Sequence, residues 1–336
     1  MFDLRDLDVP VVAAPMAGGP STPALVSAVS GAGGLGFLAA GYRTPDQVAA
    51  QVAEARRATS APVGLNLFLV EPYAADPAAL AAYRRALEPE ARRHGVDLGT
   101  PRWDDDHREA KLDLVLDVRP DVVSFTFGCP GADVLARLRQ HGVHAMVTVT
   151  TPAEAREAVR RGAASLAVQG PAAGGHRGRW DPDAAPDDTP LLDLLAEVVP
   201  AVDVPVVAAG GLVDAAGVEA ALRLGAVAGQ AGTAYLLADE AGTNPLHRAA
   251  LTGPEPTGTR VTRAFTGRWA RGLANRFMAD HADAPAGYPH LHHLTAPLRA
   301  AAVAAGDVQV AHLWAGTGYR SARSAPAAEI TRALAP

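Results

Sequence analysis

The chain places one histidine where it could meet a ligand at close range. His176 ends the run Gln169-Gly170-Pro171-Ala172-Ala173-Gly174-Gly175-His176, followed by Arg177-Gly178. The two glycines before it let the imidazole stand close to a flat ligand. There it could act as a base or hold an anionic substrate by hydrogen bonding. A histidine in a loop is also a common surface residue, and the glycine-rich setting is what singles this one out. Two further loops carry a different chemistry. Gly210-Gly211 and Gln230-Ala231-Gly232-Thr233 each follow a short apolar run. Backbone N–H groups exposed at such points bind phosphate, and a helix opening there favours its charge. Tight turns alone would also use these glycines. Asn66 and Gln169 sit at the ends of apolar runs. A side-chain amide both donates and accepts, which suits the edge of an isoalloxazine or pyrimidine ring, or a satisfied place in the core.

Other residues are weaker candidates. Pro15-Met16 follows the first apolar run, and Met16 could lie on a ring face or fill the core. Tyr288, Trp314 and Tyr319 could be lid aromatics over a substrate or ordinary packing. Cys129 reads as a small buried filler rather than a reactive thiol. His281, His290, His292 and His293 lack a carboxylate or cysteine at ligand spacing, so no metal is assigned. Gly31-Ala32-Gly33-Gly34-Leu35-Gly36 matches a dinucleotide-binding pattern, but it follows a helix and precedes a strand, the reverse of what that fingerprint needs. Lys111 is the only lysine and lies in a charged helical stretch, which argues against a Schiff-base aldolase.

The elements that must position these residues alternate. Strands are predicted at Val11–Ala14, Leu35–Ala39, Val63–Phe68, Val122–Thr126, Ala145–Val149, Ser165–Gln169, Val206–Ala209 and Ala226–Ala231. Helices lie between most of them, opened by Thr44-Pro45-Asp46-Gln47, Thr151-Pro152-Ala153-Glu154 and Asp214. Alternation of this kind gives a parallel sheet, and eight units favour the α/β class as a (β/α)₈ barrel, whose sites lie at the C-terminal strand ends. Residues 71–118 and 251–320 break the alternation and are assigned to an inserted, mostly helical lid over the barrel mouth. The barrel itself takes 1–70, 119–250 and 321–336, with Pro326–Leu334 a helix packed on its wall.

Composition narrows the classes further. A net charge of −6 with no basic run argues against nucleic acid or an anionic membrane as partner. One cysteine excludes an internal disulfide and favours the cell interior. The N-terminus lacks a signal-peptide core, and no apolar run is long enough to span a bilayer, so a cytoplasmic protein is expected. No feature specifies an oligomeric state.

Taken in order, several motifs resemble those of the bacterial class I nitronate monooxygenases. They are Ala14-Pro15-Met16-Ala17-Gly18-Gly19, Gly64-Leu65-Asn66-Leu67-Phe68, Gly174-Gly175-His176-Arg177-Gly178, Ala209-Gly210-Gly211, Gln230-Ala231-Gly232-Thr233-Ala234, Gly267-Arg268-Trp269-Ala270-Arg271-Gly272 and Leu313-Trp314-Ala315-Gly316. The resemblance implies an FMN-binding barrel with a lid. It implies flavin contacts at Pro15, Met16, Asn66, Gln169, Gly174, Gly210, Gly211 and the turn Gln230, Ala231, Gly232, Thr233, with His176 as the active-site histidine. It further implies an alkyl nitronate and O₂ as the small-molecule reactants, giving a carbonyl compound and nitrite. The acidic residue usual just before Gly-Gly-His is replaced here by Ala172-Ala173, and Thr317 stands where glutamine is common. The same architecture and Gly-Gly-His loop also resemble NAD(P)H-dependent quinone and enoyl-thioester reductases that carry a flavin. A phosphate-binding isomerase or binding barrel, and a flavin-carrying interaction protein without turnover, are the remaining readings.

Overall fold

The predicted strands are rich in Val, Leu and Ala with little polar alternation, as strands covered on both faces should be. The computed structural model describes residues 2–336. In it these runs become β1 (Val11–Ala13), β2 (Leu35–Ala39), β3 (Val63–Phe68), β4 (Val122–Thr126), β5 (His144–Val149) and β6 (Ser165–Gln169). After a two-residue strand, β7 (Gly175–His176), come β8 (Val206–Ala209) and β9 (Ala228–Ala231). The eight longer strands pair in parallel and close a barrel in the order β1-β2-β3-β4-β5-β6-β8-β9. Closure comes from β1 on β9, with Val12 opposite Gln230.

Val12, Leu35, Phe37, Val122, Met146, Ala167, Val207 and Ala228 fill the barrel interior, and Leu4 packs with them from the N-terminal segment. The outer faces of the strands pack on the helices, where Leu38, Leu65, Val123, Phe125 and Val147 meet Val48, Val52 and Val115. The expected caps form. Thr44 and Gln47 make the reciprocal capping box of helix Pro45–Ala58, and Thr151 and Asp214 cap Pro152–Arg161 and Ala215–Arg223. The Gly31–Gly36 run is a helix end and a turn into β2, as its context required. One local expectation fails: Gly232-Thr233 opens a 3₁₀ turn, Thr233–Tyr235, and the next α-helix waits until Pro245–Thr252.

Residues 71–118 hold two helices in different settings. Pro77–Arg93 packs against His290–Ala304 of the later segment, and the Gly99 N–H donates to the Leu294 carbonyl at 2.9 Å. Arg108–Val118 instead lies on β3 and helix Pro45–Ala58, in the outer layer of the barrel. Residues 251–320 carry β10 (Thr259–Thr262) and β11 (Ala270–Leu273), so this segment is part sheet as well as helix. With β7 they form a second sheet in the order β10-β11-β7. The final helix, Ala327–Leu334, packs on Pro23–Gly31, and Thr331 meets the Tyr235 hydroxyl at 2.9 Å. Among the described residues no helix is long and apolar enough to cross a membrane.

Candidate active site

The C-terminal ends of the barrel strands and the 251–320 segment enclose a cavity of about 720 Å³, a usual size for a cofactor pocket. Its walls bring together most of the residues singled out from the sequence. Pro15 and Met16 follow β1, Asn66 comes from β3, and Gln169 ends β6. Gly174 and His176 come from the next loop, Gly210 and Gly211 follow β8, and Gln230, Ala231, Gly232 and Thr233 end and follow β9. Trp314 enters from the covering segment.

Two of the three aromatic candidates stand elsewhere. Tyr288 does not line the cavity but backs its wall, with ring centroids 5.7 Å from His176 and 5.5 Å from Phe127. Tyr319 is buried in the apolar core of the 251–320 segment, and its hydroxyl donates to the Pro256 carbonyl at 2.7 Å.

The loop after β6 is held at several points. Gln169 Nε2 donates to the His176 carbonyl at 3.1 Å, and the Gly178 N–H donates to Gln169 Oε1 at 2.8 Å. Gln169 therefore clasps the two ends of its own loop. Arg177 donates to the Gly170 carbonyl, and Arg271 of β11 donates to the Pro171 carbonyl at 3.1 Å. His176 itself is a strand residue, paired antiparallel with Ala270 of β11. Gly174 lies so close to the Trp314-Ala315-Gly316 segment that a Cβ there would stand 2.5 Å from the Gly316 nitrogen.

The His176 ring is boxed by Phe127, Tyr288 and Trp314, with centroids 5.6, 5.7 and 5.6 Å away. Its Nε2 lies 2.9 Å from the Thr266 hydroxyl, and Nδ1 has no protein partner among the described residues. Burial pushes the imidazole pKa down to about 3, and the Arg268 and Arg299 guanidinium groups push the same way. His176 is therefore neutral at pH 7. His292 and His247, also on the cavity wall, are held down to about 2 and about 4 by the same enclosure.

Other wall residues offer hydrogen bonds. Asn66 Nδ2 donates to the Ser124 hydroxyl at 2.9 Å and the Thr126 hydroxyl at 3.0 Å, which fixes its amide plane. Gln230 Oε1 is buried with no partner. Gly210 and Gly211 have φ of +97° and +83°, a backbone form that favours glycine. Among the described residues no aspartate or glutamate lines the cavity, whereas Arg299 and four histidines (His176, His247, His292 and His312) do.

Several wall residues escaped sequence reasoning. Tyr42 follows β2 and would have emerged had the loop after that strand been read like the others. Its ring stacks on His292 at 4.3 Å, and its hydroxyl accepts from Tyr288 at 3.3 Å. Arg299 and His312 come from the covering segment and had no strand-end position to mark them. Lys111, despite its charged helical stretch, is buried. Its ammonium donates to the Ala40 carbonyl just past β2 at 2.9 Å and pairs with Asp106 at 2.7 Å. Asp106 accepts in turn from the Tyr42 N–H at 3.0 Å, so the sole lysine props the Tyr42 loop. Cys129 is buried with its thiol pushed up to about 11, which fits a filler.

The ordered strand-end motifs extend to the whole chain, because a family model described as nitronate monooxygenase matches residues 3–336. The chain belongs to the nitronate monooxygenase family. A nitronate monooxygenase from Pseudomonas aeruginosa is 39% identical over 340 residues, covering 98% of this chain and 96% of the relative. One from Paraburkholderia phytofirmans is 38% identical over 345 residues, covering 99% and 93%. A solved nitroalkane oxidase from Streptomyces ansochromogenes is similar in fold at a TM-score of 0.94 and 48% identity, covering 98% of this chain and 95% of that one. The barrel fold is thus shared with that structure.

Proposed function

We propose that this family member is an FMN-dependent oxidoreductase that oxidises alkyl nitronates with O₂ to a carbonyl compound and nitrite. The observation that carries the reading is the charge of the cavity: a neutral enclosed histidine, a buried guanidinium and no carboxylate on its walls. Such a site favours an anion. It also lacks a good base. A histidine held near 3 removes protons poorly, so the substrate should arrive already deprotonated, as a nitronate rather than a neutral nitroalkane.

The wall residues fit the flavin. Gln230 Oε1 is a buried acceptor in need of a donor such as a ring N–H, and Asn66 offers an amide fixed from behind by Ser124 and Thr126. The amides at Gly210-Gly211 and Gly232-Thr233 suit its phosphate, in the position usual for phosphate-binding barrels. When bound, FMN supplies an electron acceptor beside the substrate. His176 then orients the substrate: its Nε2 is held 2.9 Å from the Thr266 hydroxyl, which leaves Nδ1, without a protein partner among the described residues, to hydrogen-bond the substrate. Segment 251–320, with helix Pro77–Arg93, serves as the lid that excludes water.

Anaerobic mixing of the FMN-loaded protein with ethyl nitronate should bleach the flavin absorbance, and mixing with NADH should not. Bleaching by NADH alone would move the protein to the reductases. A protein with no flavin absorbance after FMN is added would remove both.

A further inference from the structure

Arg299 lies on helix His290–Ala304, is 7% exposed, and lines the cavity. One edge of its guanidinium is anchored to its own helix. Nε donates to the Thr295 hydroxyl at 3.0 Å and Nη2 donates to the His292 carbonyl at 2.9 Å, with His292 Nδ1 at 3.2 Å. Nη1 donates to no protein group among the described residues. No carboxylate lies within ion-pairing distance either, and the groups of opposite tendency near it are only the Tyr42 and Tyr288 hydroxyls.

A buried cation is strongly disfavoured unless its charge and its donors are met, so a guanidinium edge left open at a cavity marks a place for an acceptor or an anion. Arg268, the other arginine acting on His176, resolves its charge differently. It lies 4.1 Å over the Phe127 ring, donates to the Arg179 carbonyl and does not line the cavity. Arg299 alone among the arginines presents an unsatisfied edge to the cavity wall. Its anchored edge fixes the plane of the guanidinium, which suits paired hydrogen bonds to a planar anion with two oxygens.

We propose that Arg299 is the substrate-anion residue of this site: its free edge pairs with the negative charge of the nitronate and makes the enzyme select the anion over the neutral nitroalkane. This rests on the nitronate reading above. The competing source of negative charge is the cofactor's own phosphate, and the experiment separates the two.

The variants are Arg299→Met, which removes the charge, and Arg299→Lys, which keeps it. On the FMN-loaded enzyme, kcat/KM is measured with ethyl nitronate and with neutral nitroethane. Nitrate, a planar trigonal anion, is titrated calorimetrically as a non-reacting probe, and FMN affinity is measured on the apoprotein by fluorescence. Arg299→Met should lose 100-fold or more in kcat/KM for the nitronate, mostly through KM, and should shrink the preference over nitroethane at least tenfold. It should also lose nitrate binding while FMN affinity stays within threefold, and Arg299→Lys should recover part of each loss. A tenfold or greater loss of FMN affinity with nitrate binding intact would assign the charge to the cofactor phosphate and overturn the proposal. Unchanged nitrate binding and unchanged KM would overturn it as well. If Arg299→Met does not fold, Arg299→Gln keeps donors toward Thr295 and His292 without the charge, and the same readouts decide.

Discussion

Lowering the pH from 7.5 to 5.5 should cost the protein about 4 kcal/mol of folding stability through three cavity histidines. His176, His292 and His247 are held neutral, with pKa values near 3, 2 and 4 in the folded state. In the unfolded chain each returns to about 6.5. A histidine with a lowered folded value binds more protons when unfolded, so its stabilising contribution is complete above the unfolded value. It is then lost as the pH falls below it. One pH unit below, each residue costs about 1.4 kcal/mol, and the loss continues until the folded values are reached. His312 is shifted in the same direction and adds to the effect. Asp106, whose carboxyl burial raises, works the opposite way. The window matters: ordinary carboxylates stay charged down to pH 5.5, so histidines dominate the slope. Urea unfolding followed by tryptophan fluorescence at pH 7.5, 6.5 and 5.5 gives the stability at each. His247→Leu, which removes a ring whose Nε2 has no partner, should flatten the slope by about a third of the three-histidine effect. A stability that changes by less than about 1 kcal/mol across this range would mean that these rings are not held neutral, and the reasoning about a weak base would fall with it.

Lys111→Met should destabilise the fold by about 3–5 kcal/mol, read as a lower melting temperature, because it strands Asp106 and the Ala40 carbonyl; adding Asp106→Leu should recover part of the loss. Gly174→Ala should cost about 1–3 kcal/mol, since the new methyl would meet the Gly316 backbone, and limited proteolysis should cut segment 251–320 faster than in the parent. Gln169→Leu removes both clasps of the His176 loop, so kcat/KM should fall on the order of 100-fold while the circular dichroism spectrum is kept. Cys129, with its thiol near 11, should resist iodoacetamide at pH 8 in the native protein and react only after unfolding, a difference seen by mass spectrometry.

The barrel was legible because strands buried on both faces leave an unmistakable pattern, and Val63–Phe68, Leu35–Ala39 and Ser165–Gln169 end where the pattern ends. The loops leaving those strand ends then supplied most of the cavity wall. The residues that escaped depend on contacts that have no local signature. Arg299 and His312 reach the cavity only once their segment folds over the barrel, and nothing in Ala296-Pro297-Leu298-Arg299 announces that. Tyr319 looks like Trp314 in sequence, yet the chain turns between them and sends its hydroxyl to Pro256. Gln169 shows the same limit in another form. Its amide was open to a ligand or to the core, and the structure spends both of its polar atoms on the loop backbone.

The pairing of β7 with β11 has a mechanical consequence. His176 lies opposite Ala270 in this ladder, and the next residue's N–H, that of Arg177, donates to the Trp269 carbonyl at 2.8 Å, so the covering segment is stitched to the strand that carries the residue it shelters. A flap that swung clear at this edge would have to break that ladder or drag the imidazole with it. Substrate and O₂ must therefore pass where no such stitching exists, and access and histidine placement are governed by separate parts of the molecule. Melting of the cover and loss of turnover should consequently occur as one event, with no open but still competent form between them.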